Sequence, residues 1–214
     1  MSDQLRPVRT SIAAASATLI VLALTGCVQA ETQTATEPSA AVPSASTTPA
    51  EVIPTPVVEQ LVIPECSTMV PLDLARSWLS RDTILSIDED SFTASEWSMP
   101  EEAAVISNAS LVKDCVWAVP RSDGFLVLTV FDVDPAEGAT LAAALVDDGA
   151  VETTMGDVTV LKLLTLGGLN DLTDTHYFID DIWVHSNANS DEVSTRIADA
   201  ALEQIRVANP TRAY

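Results

Sequence analysis

Residues 125–133 read FLVLTVFDV and are followed directly by DPAE at 134–137. The first segment is rich in β-branched and aromatic residues and is apolar on both alternating faces, which predicts a central strand. The second segment combines an N-cap aspartate, a proline at the first helical position and an acid at the third, which predicts the start of a helix. We expect this helix to run to about Asp147 and to stop at Gly149. The chain therefore combines a sheet with helices.

Short links around this central strand predict an antiparallel sheet. The turn 121–124 joins it to a strand at 110–119. The other predicted strands are 150–155 and 158–165, turning at Gly156-Asp157, and 175–179 and 182–187, turning at Asp180-Asp181. The predicted fold class is α+β, an antiparallel sheet with helices packed against it.

Three further helices are predicted from periodicity and capping signals. Residues 82–98 are acidic and are expected to be irregular. The first helix has Pro71 in its first turn and an apolar stripe of Leu72, Ala75, Trp78 and Leu79. The second is opened by the capping box Ser98-Met-Pro-Glu101 and runs to Ile106. The third runs from Asn189 to about Val207, with an apolar stripe of Val193, Ile197, Ala201 and Ile205.

Residues 61–209 are predicted to form a single domain, followed by a C-terminal tail at 210–214. A domain of this size buries about 70% of the surface of its unfolded chain, so a true core is expected. It contains two cysteines, Cys66 and Cys115. In an exported protein an isolated pair is most simply a disulfide, while two free thiols or half of a metal site are the alternatives.

Residues 1–26 have the organisation of an export signal. Arg6 and Arg9 precede thirteen mostly apolar residues, Ile12–Leu24. This length suits the apolar region of a signal peptide and falls short of the roughly twenty residues of a spanning helix. An uncleaved membrane helix is the alternative, and in either case the rest of the chain lies outside the cytoplasm.

The apolar segment ends in Leu24-Thr25-Gly26-Cys27, which resembles the lipobox of bacterial lipoproteins. The resemblance implies cleavage before Cys27 and a diacylglyceryl group on its thiol. Two acyl chains give stable membrane attachment. Residues 27–60 are then the lipidated cysteine and a disordered tether rich in Pro, Thr, Ser and Ala. The expected location is the outer face of the cell membrane.

The net charge limits the partners. The chain has 31 acidic and 10 basic residues and a formal net charge of −21. Nucleic-acid binding and docking on anionic lipid both need clustered Lys and Arg, so neither is expected.

Two cysteine motifs carry a further resemblance. With the lipobox and the tether, Pro-Glu-Cys66 before a helix and Asp-Cys115-Val-Trp117 at a strand are similar to small actinobacterial lipoproteins. Several such families have a Cys…Cys-x-Trp extracytoplasmic domain of unknown function. The resemblance implies a disulfide between Cys66 and Cys115 with Trp117 packed near it, and it implies no activity.

A few side chains could bind metal. His176 and His185 lie in two strands of one predicted hairpin, where they could face each other and bind a metal with Asp174 or Asp180. Two half-exposed strand residues are the simpler interpretation. The runs Asp88-Glu89-Asp90 and Asp132-x-Asp134-x-x-Glu137 resemble calcium ligands but lack the glycine and distal glutamate of an EF-hand. We therefore expect no metal site and no cofactor.

Catalytic motifs are absent from the sequence. It contains no G-x-S-x-G, S-x-x-K, H-E-x-x-H or phosphate-binding loop. Trp78, Trp97, Trp117 and Trp183 are expected in the core, and the sequon at Asn108 is of a kind that bacterial lipoproteins rarely use. The expected function is non-enzymatic binding of another envelope component. A carrier or sensor of a small apolar ligand is the alternative, and a hydrolase without a recognisable motif is a third.

Overall fold

The computed structural model describes residues 59–95, 98–166, 171–212 and 214. The signal segment, Cys27 and most of the tether lie outside these residues. The elements in chain order are α1 (Cys66–Met69), α2 (Leu72–Trp78), β1 (Ile84–Glu89), α3 (Pro100–Asn108), β2 (Leu111–Ala118), β3 (Phe125–Asp132), α4 (Pro135–Asp147), β4 (Val151–Met155), β5 (Val158–Thr165), β6 (Leu172–Ile179), β7 (Ile182–Ala188) and α5 (Asp191–Ala208).

The seven strands form one sheet in the order β1-β2-β3-β7-β6-β5-β4, and every neighbouring pair is antiparallel. The predicted α+β class is confirmed. Strand β3 is the third strand of the order and has a paired strand on each side, as its two apolar faces predicted. It joins two meanders, β1-β2-β3 and β4-β5-β6-β7, through its pairing with β7.

Helices cover both faces of the sheet and enclose two cores. On the first side, which we call the α5 face, the buried side chains of α5 pack with α1 and with alternate residues of the strands. On the opposite α4 face, α3 and α4 pack over Phe131, Trp183 and Phe178. Ile197, Ala201 and Ile205 of the predicted α5 stripe are fully buried, and Val193 is partly buried against the same core.

Local capping signals fix both ends of α4 and the start of α5. The Asp134 side chain accepts the backbone N–H of Ala136 at 2.9 Å, which confirms the predicted cap. Gly149 follows α4 with φ +106°, a backbone conformation that favours glycine. Helix α5 begins at Asp191, two residues after the predicted start at Asn189, because Ser190 caps it, accepting from Val193 N at 3.2 Å.

The capping box predicted at Ser98 is wrong. Helix α3 begins at Pro100, and its N-cap is Met99, which makes no side-chain cap. The Ser98 hydroxyl instead lies 3.3 Å from the Ser95 hydroxyl.

Two elements were not predicted. Strand β1 lies within the stretch expected to be irregular, and only its pairing with β2 makes it a strand. Helix α1 is a single turn, stabilised by the Glu65 carbonyl, which accepts the N–H groups of Thr68 and Met69.

The predicted disulfide between Cys66 and Cys115 is present, with a Cα–Cα distance of 5.6 Å. It attaches α1 to the middle of β2. Both cysteines and Trp117 are fully buried in the core of the α5 face. The alternatives of free thiols and of a metal ligand pair are therefore excluded at these positions.

The two ends of the domain lie side by side. Asn209 accepts from the backbone N–H of Val62 at 2.9 Å and donates to the Val62 carbonyl at 2.8 Å. Beyond it, Arg212 donates to Asp181 in the β6–β7 turn at 2.6 Å. The segment 210–214 is thus attached to the domain, and the tether meets the domain at this end.

Candidate functional site

Four neighbouring strands bring polar side chains into one row on the α4 face. The register pairs Asp114 of β2 with Thr129 of β3. It also pairs Thr129 with His185 of β7, and His185 with His176 of β6. We call these four residues the polar row. The prediction that the two histidines face each other across a hairpin is confirmed.

His176 and Thr129 are the two buried members of the row. The Nδ1 of His176 accepts the indole N–H of Trp183 at 3.2 Å, and its ring stacks on His185 with centroids 4.7 Å apart. Burial lowers the pKa of His176, and the neighbouring charge of His185 lowers it further. His176 is therefore held neutral, with its remaining ring proton on Nε2.

His185 and Asn187 both contact one carboxylate, that of Asp174. The Nε2 of His185 lies 3.0 Å from Oδ1 of Asp174, and the same oxygen accepts from Nδ2 of Asn187 at 2.6 Å. Burial alone would raise the pKa of Asp174, but the hydrogen bonds and charge of its neighbours outweigh burial and lower it. Asp174 is thus a stable carboxylate half-buried on the sheet.

The pKa of Asp114 is shifted in the opposite direction to that of Asp174. Burial raises the pKa of Asp114, and the charge of Glu89, its register partner on β1, adds to the effect. The Thr129 hydroxyl donates to its Oδ1 at 3.1 Å. Lys113, its neighbour in sequence, projects to the other face and binds Glu65, Asp88 and Asp90 instead.

Next to the polar row, the α4 face carries apolar side chains that belong to neither core. We call this set the open patch: Ile84, Ile87, Val116, Ala118, Phe125 and Val127. Val116 and Val127 remain half-exposed. Their chain neighbours on the α5 face, Trp117 after Val116 and Leu126 before Val127, are at most 1% exposed. The open patch lies at the end of β3 remote from Asp181.

The metal interpretation of the histidines finds no support in the described ranges. Asp174 contacts His185, whereas Asp180 lies in the turn at the other end of the hairpin. No three metal-ligating side chains converge there on one point. His176 uses Nδ1 for Trp183, which removes one of its two ligand atoms.

The acidic runs are engaged in protein contacts. Asp88 and Asp90 bind Lys113. Asp132 accepts from the Ser110 hydroxyl at 2.7 Å, Asp134 caps α4, and Glu137 accepts from the Asn108 amide at 2.8 Å.

Two described depressions next to α4 lie away from the polar row. One of about 670 Å³ lies between α4 and strands β4–β6. Another, of about 420 Å³, is an apolar groove between α3 and α4 with Val105 and Leu141 in its lining. Of the tryptophans, Trp117 and Trp183 are fully buried and Trp78 is partly buried in the core, while Trp97 lies outside the described residues.

Comparison with known proteins adds no relative. No protein family, curated protein or solved structure matches the chain. Among the helices that the structure describes, none is long and apolar enough to cross a membrane. The lipobox and Cys27 fall in residues that are not described.

Sequence reasoning did not find Asp114, Thr129 and Asn187 as members of a site. Nothing in the sequence specifies that β3 pairs with β7, a strand fifty residues away, and the row exists only through that pairing. The period-two alternation within each strand was the available signal. It identifies which residues share a face, but not which strands are neighbours.

Proposed function

We propose that the chain is a lipid-anchored extracytoplasmic binding domain that presents the open patch and the polar row to another component of the cell envelope. The observation that carries this proposal is a set of apolar side chains on β1, β2 and β3 that join neither core. An exposed apolar patch beside half-buried polar groups is typical of an interaction surface.

The charges beside the open patch indicate the chemistry of the partner. Glu89, Asp114 and Asp174 contribute carboxylates, and His185 is already bonded to Asp174. A partner with aliphatic side chains for the patch and a Lys or Arg for Asp114 would complement this surface. The occupant we propose is therefore an apolar, basic surface of an envelope protein.

The lipid anchor rests on the sequence of residues 24–27. The contacts of Asn209 and Arg212 keep the start of the domain beside the β6–β7 turn. Because the open patch lies at the other end of β3, attachment through the tether leaves the patch free to meet a partner.

A carrier of a small apolar ligand is the second candidate, favoured by the groove between α3 and α4. Pro100, Ala104, Val105 and Leu141 contribute to its lining, and its volume of about 420 Å³ is within the usual range of ligand sites. Enzymatic activity is disfavoured by the polar row itself. The Thr129 hydroxyl, adjacent to His185, is fully buried and donates its hydrogen to Asp114, so it is not an activated nucleophile.

In-cell photo-crosslinking tests the proposal. A photoreactive residue is placed at Val127 in the open patch or, as the control, at Leu74, which is exposed on α2. We expect a discrete cross-linked envelope protein from position 127 only, and its loss when Asp114→Asn is added. Equal labelling from both positions, or labelling indifferent to Asp114→Asn, would contradict the proposal.

A further inference from the structure

Strand β4 is an outer strand of the sheet and is exposed along its whole length. All five residues, Val151–Met155, are solvent-exposed, and the strand pairs with β5 without a break in register. It contains one charged residue, Glu152, and neither proline nor glycine. Such an edge offers unpaired backbone groups to another strand.

The opposite edge of the sheet is protected. Strand β1 has a register irregularity between Leu85 and Ile87 and ends in acidic residues. Bulges and charges are the usual devices that prevent pairing at an edge. The contrast singles out β4 as the edge on which a further strand can be added.

The turn after β4 fixes which backbone groups face outward. Gly156-Asp157 is a two-residue turn, with Gly156 at φ +63°. Met155 and Val158, which flank it, therefore form a hydrogen-bonded pair, and such pairs alternate along the strand. It follows that the N–H and C=O groups of Glu152 and Thr154 point away from the sheet.

A depression adjoins β4 on each face. On the α5 face, one of about 490 Å³ is lined by Met155, Leu202 and Val207, together with two acidic residues, Asp199 and Glu203, and one basic residue, Arg206. The 670 Å³ depression on the α4 face is lined in part by Glu152, Asp157 and Val146. Successive side chains of an added strand point to opposite faces, so they would enter the two depressions in turn.

We propose that the β4 edge binds an extended peptide segment of a partner protein as an eighth strand, and that this segment alternates apolar with basic residues. The apolar side chains would contact Met155 and Val207, and the basic ones would meet Glu152 and Asp157. This surface is separate from the open patch, and the inference goes beyond the proposed function.

A second copy of this chain is a less suitable occupant. Each copy carries a formal net charge of −21, so two copies would repel each other. A basic peptide is favoured by the same charge.

The test uses the full chain, purified in mild detergent, and a synthetic octapeptide of alternating valine and lysine as the probe. Backbone amide exchange is measured by NMR. At a peptide concentration about ten times its Kd, exchange of the Glu152 and Thr154 amides is expected to slow by about tenfold, because the free fraction falls by that factor. The amides of Ile84–Glu89 and of Val116 and Val127 serve as internal controls that stay unchanged.

Two changes then remove the outward hydrogen bonds. Thr154→Pro removes one outward N–H at an edge position that tolerates proline, and it is expected to weaken binding at least tenfold. Thr154→Ala, which keeps the N–H, is the matched control and is expected to bind like the original chain. An octapeptide methylated on its four central amides tests the same bonds with the protein unchanged, and it is expected to lose binding.

Several results would overturn the inference. They are the absence of saturable binding, equal binding of the methylated peptide, or protection at β1 or the open patch instead of β4. Light scattering tests whether a second copy of the chain binds at the β4 edge instead. A dimer that Thr154→Pro converts to a monomer would assign the edge to a second copy and refute the peptide proposal.

Discussion

Trp183 donates its indole N–H to Nδ1 of His176 over 3.2 Å, and both side chains are buried on the α4 face of the sheet. The bond requires a lone pair on Nδ1, so it exists only while His176 is neutral. The histidine is thereby a structural acceptor that orients Trp183, whose indole stacks on Phe131 at 4.4 Å between ring centroids.

This bond predicts that the domain loses stability in mild acid. Burial, and then the charge of His185, lower the pKa of His176 below the value of about 6.5 that an unfolded histidine has. Below pH about 6.5 the unfolded chain therefore takes up a proton that the folded chain does not. The free energy of unfolding is expected to decrease toward pH 5 by up to about 1.4 kcal/mol per pH unit.

Urea unfolding at pH 7.5, 6.5, 5.5 and 5.0 measures this dependence. His176→Asn is the matched variant, since its side-chain oxygen can accept from Trp183 without titrating. We expect a shallower decrease in that variant. An identical slope in both proteins would show that other groups cause the acid sensitivity.

The disulfide is expected to contribute strongly to stability. Cys66 and Cys115 are 49 residues apart, and closing a loop of that length stabilises by about 4 kcal/mol in the chain-entropy treatment. We expect Cys66→Ala with Cys115→Ala to lower the urea midpoint accordingly. Peptide mapping without reductant checks the pairing itself, and two free thiols in protein purified from the envelope would contradict it.

The sequence predicted those parts of the fold that depend on neighbouring residues. Asp134 caps α4 and Gly149 ends it, because both signals act within one helical turn. Strand β3 was predicted as central because its own side chains are apolar on both faces.

The remaining parts depend on pairing between distant segments. The residues of β1 are acidic and do not predict a strand by themselves. They form a strand because they pair with β2. The histidine pair was predictable, since a single hairpin sets its register. Asp114 joins the histidines only through the β3–β7 pairing, and the open patch depends on where α4 happens to lie.

Removing Lys113 and removing its acidic partners are expected to have unequal effects on the free energy of unfolding. Burial lowers its pKa, but Glu65, Asp88 and Asp90 outweigh burial and raise it. The Lys113 side chain is 6% exposed, while those of Glu65 and Asp90 are 66% and 81% exposed and remain solvated without it.

Lys113→Met is therefore expected to change the free energy of unfolding by no more than about 1 kcal/mol. The triple variant Glu65→Gln, Asp88→Asn and Asp90→Asn leaves a buried ammonium unpaired and is expected to cost about 3 to 5 kcal/mol. Urea unfolding of both variants measures the two changes in the free energy of unfolding. If Lys113→Met strongly lowered the free energy of unfolding and the triple variant did not, this explanation of the Lys113 cluster would be refuted.

Lipid attachment is expected to depend on Cys27. Cys27→Ser removes the thiol that the lipobox resemblance assigns to the diacylglyceryl group. We expect the variant to accumulate as a precursor with its signal segment retained and without label after growth in a radioactive fatty acid. Cys66→Ser, which removes a cysteine elsewhere, is the control and is expected to keep the label. Label retained by Cys27→Ser would refute the assignment.

The acidic surface is expected to respond to ionic strength rather than to calcium. With 31 acidic and 10 basic residues, carboxylates repel one another at neutral pH, and any added salt screens this repulsion. The carboxylates of Asp88, Asp134 and Glu137 are already engaged by Lys113, the first turn of α4 and Asn108. Calcium would have to displace those contacts, so sodium and calcium chloride at equal ionic strength are expected to raise the melting temperature by similar amounts. A saturating shift of several degrees that only calcium produces, following the mass-action dependence of a bound ligand, would establish a cation site in its place.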